Sequence, residues 1–327
     1  MSLDNFRKTG ELDEQINVST ESQFKQKQEK VTPWLPPAVS KADLNLSYPD
    51  FINSTYEELR GSFPSLITCT EIIKDTSGNY PIYLYVFNPE KYKETITITA
   101  GIHGDEPEGY WGLFYILNEI YRNPVKHKGL MDVRNNVRIA LVPVVNPWGY
   151  ENFTRANSNG VNVNRNFDVN IGLPAAKAEG SEPFSENEAK AVKILLNEFG
   201  KYSKFHLDIH TVPLRYNEAG TYGAYSYVKS YSRLWKPMHE IQEYIVDYWN
   251  REYCKNLSSL YQNSDTANIT NYAQEVHEIP AATLEFASGN FGELADASEM
   301  RRAIEWYGNV LLHLALSEII LQRHHRC

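Results

Sequence analysis

The run Val137-Arg138-Ile139-Ala140-Leu141-Val142-Pro143-Val144-Val145 is apolar at every position except Arg138. A strand with one face in water alternates apolar and polar residues, whereas a continuous apolar run needs cover on both faces. This segment therefore predicts a strand inside a sheet that has layers above and below it. Strands are also expected over Tyr80 to Phe87, closed by Asn88-Pro89, and over Glu94 to Ala100, Phe205 to Thr211 and Ala281 to Phe286.

Helices are expected between them. One runs from Leu46 through Leu59, with Ser54 and the glutamates after it suited to an N-terminal cap. Others cover Tyr110 to Arg122, Ser185 to Phe199 with Ser185 as N-cap, Leu234 to Glu252, and Ser298 to Arg323. Strands alternating with helices predict an α/β fold: a single domain with a mixed, mostly parallel twisted sheet covered by helices on both faces. Residues 1–40 read as a polar N-terminal extension rich in Gln, Glu, Lys and Ser, and residues 41–327 as the catalytic domain. In such sheets functional groups gather at the carboxyl ends of the strands, and His103, Asn146, His210 and Glu285 all fall at such ends.

Composition excludes some function classes. The net charge is −9 and the pI about 5.6, and Lys and Arg are not clustered outside the short tail, which argues against a nucleic-acid partner. Cys69, Cys254 and Cys327 are odd in number and widely spaced, so neither a disulfide framework nor a thiolate zinc site is expected. Met1 to Lys30 has no apolar core of a signal peptide, and no apolar run is long enough to span a membrane. The expectation is a cytoplasmic enzyme without a membrane partner, its oligomeric state left open.

The chemistry starts at His103-Gly104-Asp105-Glu106, where an imidazole and a carboxylate three residues apart follow a strand and offer two ligands to zinc. Alone, HxxE is an ordinary polar turn. A hydrolytic zinc needs three protein ligands and an open position, and His210, at the end of Phe205-His206-Leu207-Asp208-Ile209-His210, is the best third ligand. Strand alternation puts His206 and Asp208 on the face of His210, where they could orient the shell, although His206 reads more readily as structural. Zinc brings its water near neutral pKa, and a nearby carboxylate can then take the proton. Glu285, in the apolar strand Thr283-Leu284-Glu285-Phe286, is the candidate base, since a lone charge there is otherwise costly. Arg155 and Arg165 share one polar loop. One guanidinium can grip a substrate carboxylate while the other stabilises an oxyanion.

These segments together resemble the zinc carboxypeptidase family. Its patterns stand here as His103-Gly104-Asp105-Glu106, Asn146-Pro147-Trp148-Gly149, Arg155, Gly160-Val161-Asn162-Val163-Asn164-Arg165-Asn166-Phe167, Pro183-Phe184-Ser185-Glu186-Asn187-Glu188, His210 and Thr283-Leu284-Glu285, in family order over residues 80–310. The resemblance implies one Zn2+ held by His103, Glu106 and His210, Glu285 as general base, and Arg155 as the oxyanion-stabilising arginine. It implies that Asn164 and Arg165 grip the terminal carboxylate, and that a mobile tyrosine, Tyr261 with Tyr272 as runner-up, precedes the base. The implied activity is a zinc metallocarboxypeptidase that cleaves the C-terminal amide bond of a peptide.

Gly104-Asp105 resembles bacterial members and the succinylglutamate desuccinylase and aspartoacylase relatives, where secreted digestive members carry an arginine. N-acyl amino acids and murein peptides are therefore alternative substrates with a free carboxylate. By the same resemblance the side-chain pocket draws on Asn263 to Tyr272, which is polar and lacks a basic residue. A non-catalytic module that binds peptide termini is the remaining reading, but such a module would be expected to lose a ligand, Arg155 or Glu285, and all are present.

Overall fold

The computed structural model describes residues 34–38, 44–169, 179–213, 224–228, 258–262, 266–288 and 297–316. Its centre is an eight-stranded sheet in the order β1-β2-β4-β3-β5-β8-β6-β7. The strands are β1 (Ile67–Lys74), β2 (Pro81–Phe87), β3 (Glu94–Ala100), β4 (Val137–Val142), β5 (Ser203–Pro213), β6 (Ala224–Val228), β7 (Ser258–Gln262) and β8 (Ala281–Ser288). The middle of the sheet, β4-β3-β5-β8, is parallel throughout. The β1-β2, β2-β4 and β6-β8 pairs are antiparallel, and β6-β7 is parallel. The mixed, mostly parallel sheet expected from the sequence is therefore present.

The apolar run at Val137 works as its composition demands. Ile139 and Leu141 point into one core together with Ile96, Ile98, Phe205, Leu207 and Leu284, while Ala140 and Val142 point into the other. The first core is closed by the helices Pro107–Arg122 and Ala297–Leu316 and by Tyr48–Ile52 with its continuation. The second is closed by Asn187–Phe199 and Ile269–Val276. The strand ends at Val142, before Pro143, which has no N–H for the ladder.

Local chemistry moves several helix boundaries. The first helix begins at Tyr48, capped by Ser47, whose side chain accepts from Asp50 N. Ser54 lies inside the helical run instead and donates to Asp50 O, within a π-helical stretch Asn53–Glu57 that leads into Glu58–Ser62. Ser185 does not cap its helix: Asn187–Phe199 has Glu186 at the N-cap, and Ser185 Oγ is taken by Glu186 Oε1 at 2.7 Å and Asn166 Nδ2 at 3.0 Å. The closing helix is Ala297–Leu316, and the expected extension to Arg323 lies outside the described residues, as does the helix expected over Leu234 to Glu252.

Trp34, placed by the sequence in the polar extension, is buried at 3% exposure on the closing helix. Its N–H donates to Asn309 Oδ1 at 2.8 Å and its carbonyl accepts from Asn309 Nδ2 at 2.9 Å. A Cβ on Gly308 would lie 2.4 Å from the indole, so the helix accommodates the ring only with glycine there.

Candidate metal centre

The turn after β3 is held against the turn after β4. Gly104 N donates to Thr154 O at 2.9 Å, and Asn146 caps the helix Pro147–Asn152 by accepting from Gly149 N at 2.9 Å. The two glycines meet so closely that a Cβ on Gly104 would lie 1.9 Å from the Gly149 carbonyl carbon. This contact gives both the inner glycine of HxxE and the Asn-Pro-Trp-Gly turn a steric reason. It also fixes the bend that turns His103 and Glu106 to one side.

His103, Glu106 and His210 come together there, all buried, and offer ligand atoms within 4.8 Å of one another. Glu106 lies between the imidazoles, with Oε1 2.7 Å from His103 Nδ1 and Oε2 3.0 Å from His210 Nδ1. Thr211 N and Arg155 Nη1 also donate to the carboxylate, each at 3.0 Å. Burial would raise the Glu106 carboxyl, but His103 and His210 hold it well below the usual range. Burial is the main force lowering the pKa of the His103 imidazole. Burial also opposes charge on His210, but Asp208 and Glu106 override it and raise that imidazole.

This donor set fits zinc. Two imidazole nitrogens and a carboxylate converge, and each ring has its other nitrogen engaged, which fixes the ring's orientation. His103 Nε2 pairs with Asn162 Oδ1 at 3.0 Å, and His210 Nε2 with Asp208 Oδ2 at 2.8 Å. Asp208 is fully buried and also accepts from Thr99 Oγ1 at 2.8 Å. His206, which the sequence left more structural than ligating, sits between Thr97 Oγ1 and Thr99 Oγ1 at 3.1 and 3.3 Å and contacts no ligand atom. Asn162 and Thr99 carry no role in the sequence reading. For Asn162 the available signal was its position two residues before Asn164 in the same polar loop.

Glu285 stands opposite His210 in the β5-β8 ladder. Its Oε2 is buried and without a hydrogen-bond partner among the described residues. Burial is the main force raising its carboxyl to about 8; Glu106 and Asp208 add to this, while His210 and Arg155 oppose it. A carboxyl held near neutrality beside a candidate metal shell has the properties of a proton-transfer group.

The loop after Phe153, which takes a left-handed φ of 52°, carries the remaining residues. Arg155 is exposed over 47% of its side chain and reaches Glu106. Asn164 is buried, with Nδ2 3.2 Å from His210 Nε2 and Oδ1 accepting from Ile269 N at 3.1 Å. Arg165 donates to Asn164 O at 2.7 Å, and burial followed by the neighbouring Arg155 lowers its pKa. Tyr261 is the fourth residue of β7, but its side chain lies outside the described residues, as do pocket positions 263–265. Tyr272, the runner-up, is a core residue whose ring packs against Phe167, Phe184 and His277.

Fold and site together give a helix-covered α/β sheet with a candidate zinc centre at the carboxyl ends of its strands. The chain belongs to the zinc carboxypeptidase family, whose pattern it matches over residues 52–309. It is 25% identical over 189 residues to carboxypeptidase B of Astacus astacus, a match covering 50% of this chain and 61% of that protein. It is 28% identical over 148 residues to carboxypeptidase A2 of Rattus norvegicus, covering 39% and 36%. The chain thus spans less than two thirds of these relatives. Among solved structures, thrombin-activatable fibrinolysis inhibitor superposes with a TM-score of 0.71 at 17% identity, covering 90% of this chain and 79% of that one. A metallo-carboxypeptidase from Burkholderia cenocepacia superposes with a TM-score of 0.56 at 17% identity, covering 79% and 68%. Likeness at this level of identity shows a shared fold. Among the described residues no helix is long and apolar enough to cross a membrane.

Proposed function

We propose that this chain is a metallocarboxypeptidase that releases the last residue of a peptide bearing a free α-carboxylate. The observation carrying this reading is Glu285, which stands opposite His210 with its buried Oε2 unpartnered among the described residues and lies within the electrostatic reach of Arg155. His103, Glu106 and His210 would hold the zinc, which would supply a Lewis acid and lower the pKa of a nearby water. Glu285 takes a proton from the attacking water and returns it to the leaving amine. Arg155 stabilises the developing oxyanion. Asn164 and Arg165 receive the terminal carboxylate, Arg165 through its planar fork, and Tyr261 closes over the substrate.

An N-acyl amino acid presents the same free carboxylate, and so does a murein peptide. The test is release of amino acid by zinc-loaded protein from C-terminal peptides, N-acetyl amino acids and murein peptides. Turnover of peptides supports the reading, and release from N-acyl amino acids alone overturns it. The reading extends to a cytoplasmic setting, supported by three widely spaced cysteines; localisation of the tagged full chain to an oxidising compartment would sink that part.

A further inference from the structure

The segment Pro183-Phe184-Ser185-Glu186-Asn187-Glu188 has no part in the chemistry above, yet it sets two carboxylates behind the loop that carries Arg155, Asn162, Asn164 and Arg165. Glu186 and Glu188 are 4% and 0% exposed. Both accept from the same amide: Asn157 Nδ2 donates to Glu186 Oε2 at 2.8 Å and to Glu188 Oε2 at 3.2 Å. Asn157 is itself buried, and its Oδ1 accepts from Asn159 N and Val161 N, each at 3.1 Å. One side chain therefore closes the turn 157–161 on itself and ties it to two buried carboxyl groups.

A second anchor lies at the other end of the loop. Asn166 Oδ1 accepts from Glu186 N at 3.0 Å, while its Nδ2 donates to Ser185 Oγ at 3.0 Å and Glu182 O at 2.9 Å. Glu188 is held from behind by Thr76 N at 3.0 Å and by Thr76 Oγ1, in the connection between β1 and β2. Asn162, Asn164 and Arg165 lie between the two anchors, and Arg155 lies two residues before the first. A buried carboxylate is costly unless donors meet it, so the loop cannot shift without leaving Glu186 and Glu188 short of a partner.

We infer that Asn157, gripped by Glu186 and Glu188, is a positioning residue that sets Asn164 and Arg165 for the substrate's terminal carboxylate. The inference rests on the carboxypeptidase reading. Its anchors are bonded to none of the candidate ligands, which come from β5 and the turn after β3, but the loop between them reaches the shell through Asn162 on His103 and Asn164 on His210. Loss of the grip is therefore read as a loss of carboxylate recognition greater than any loss of zinc affinity. A displacement of about 1 Å in a positioning group can cost about a hundredfold.

The test uses the zinc-loaded full chain and two probes with one zinc-binding group, mercaptoacetylglycine and its amide, titrated by calorimetry. Wild type should prefer the acid. Asn157→Ala should reduce that preference about tenfold or more, with affinity for the amide unchanged. Zinc affinity, measured by chelator competition, should stay within about threefold, below the 10–100-fold loss that follows removal of an outer-shell partner. Equal weakening of both probes, or an intact preference for the acid, overturns the positioning role. No preference in wild type overturns the carboxypeptidase reading, which distinguishes the two failures. Should Asn157→Ala not fold, Asn159→Ala at an exposed position removes one donor to Glu186, a 3.0 Å bond, and should shift the preference the same way by a smaller factor. An unaltered preference in a folded Asn159→Ala together with Glu186→Gln overturns it as well.

Discussion

His210 and Glu285 face each other as direct partners in the parallel β5-β8 ladder, so strand register alone sets the spacing between a candidate metal ligand and the candidate base. A one-residue slip would turn Glu285 to the opposite face of the sheet. Replacing Glu285 by Gln keeps the shape and removes proton transfer. Turnover should fall about 10²–10⁴-fold while zinc stays bound. Steady-state kinetics with metal analysis checks this, and retained activity removes Glu285 from its role.

Arg165→Ala should lower kcat/KM for peptide acids about 10–100-fold, mainly through KM. The same variant acting on C-terminally amidated peptides should match wild type, because the lost partner is the carboxylate itself. Equal losses on both substrates would point to general damage to the loop.

Zinc binds the folded centre, and the unfolded chain has no preformed site. Chelation should therefore lower stability by about 4 kcal/mol where free zinc had stood near a thousand times Kd. Differential scanning calorimetry with and without chelator should show a fall in Tm. His210→Ala should abolish the difference, since it removes one of the three ligands.

Gly104→Ala places a methyl inside the Gly149 backbone. The two turns must separate, with a loss of stability above about 3 kcal/mol, or the protein fails to accumulate. Denaturant unfolding of any soluble product reads this directly. Wild-type stability in that variant would contradict the contact.

His206 supplies a pH signature away from the metal. Burial lowers its pKa from 6.5 to about 4, against a weaker opposing pull from Asp208. Between these values the unfolded chain binds the proton and the folded one does not, so stability is lost as pH falls from 6.5 towards 4. At pH 5 the loss from this residue is about 2 kcal/mol. His206→Gln, which can still bond Thr97 and Thr99, should show less acid destabilisation than wild type in urea titrations at pH 5 and 7. Parallel losses in the two proteins would exclude His206 as the cause.

Much of the site was legible because chemistry and periodicity coincided. His103 and Glu106 follow a strand end, His210 lies near the carboxyl end of a strand of consistent pattern, and Glu285 is the only charge in its apolar strand. The parts that were not legible depend on partners distant in sequence. β1 is half exposed with no clean alternation, and the helix Lys128–Asn136 has few apolar residues, so neither stood out. Ser185 looked like an N-cap, but Asn166 and Glu186 took its hydroxyl.

The sequence alone determined the two-faced core at Val137 and pointed to the candidate ligands, base and arginines, because each is read from local residue chemistry or from a short spacing. Only the tertiary structure decided what else holds them: Glu106 between two imidazoles, Asn162 behind His103, Thr99 behind Asp208, and Asn157 between two buried carboxylates. Nearly all of those bonds join segments that are distant in sequence. Their strength comes from exclusion of water, which no single segment can provide before the sheet has formed and its helices have closed over it.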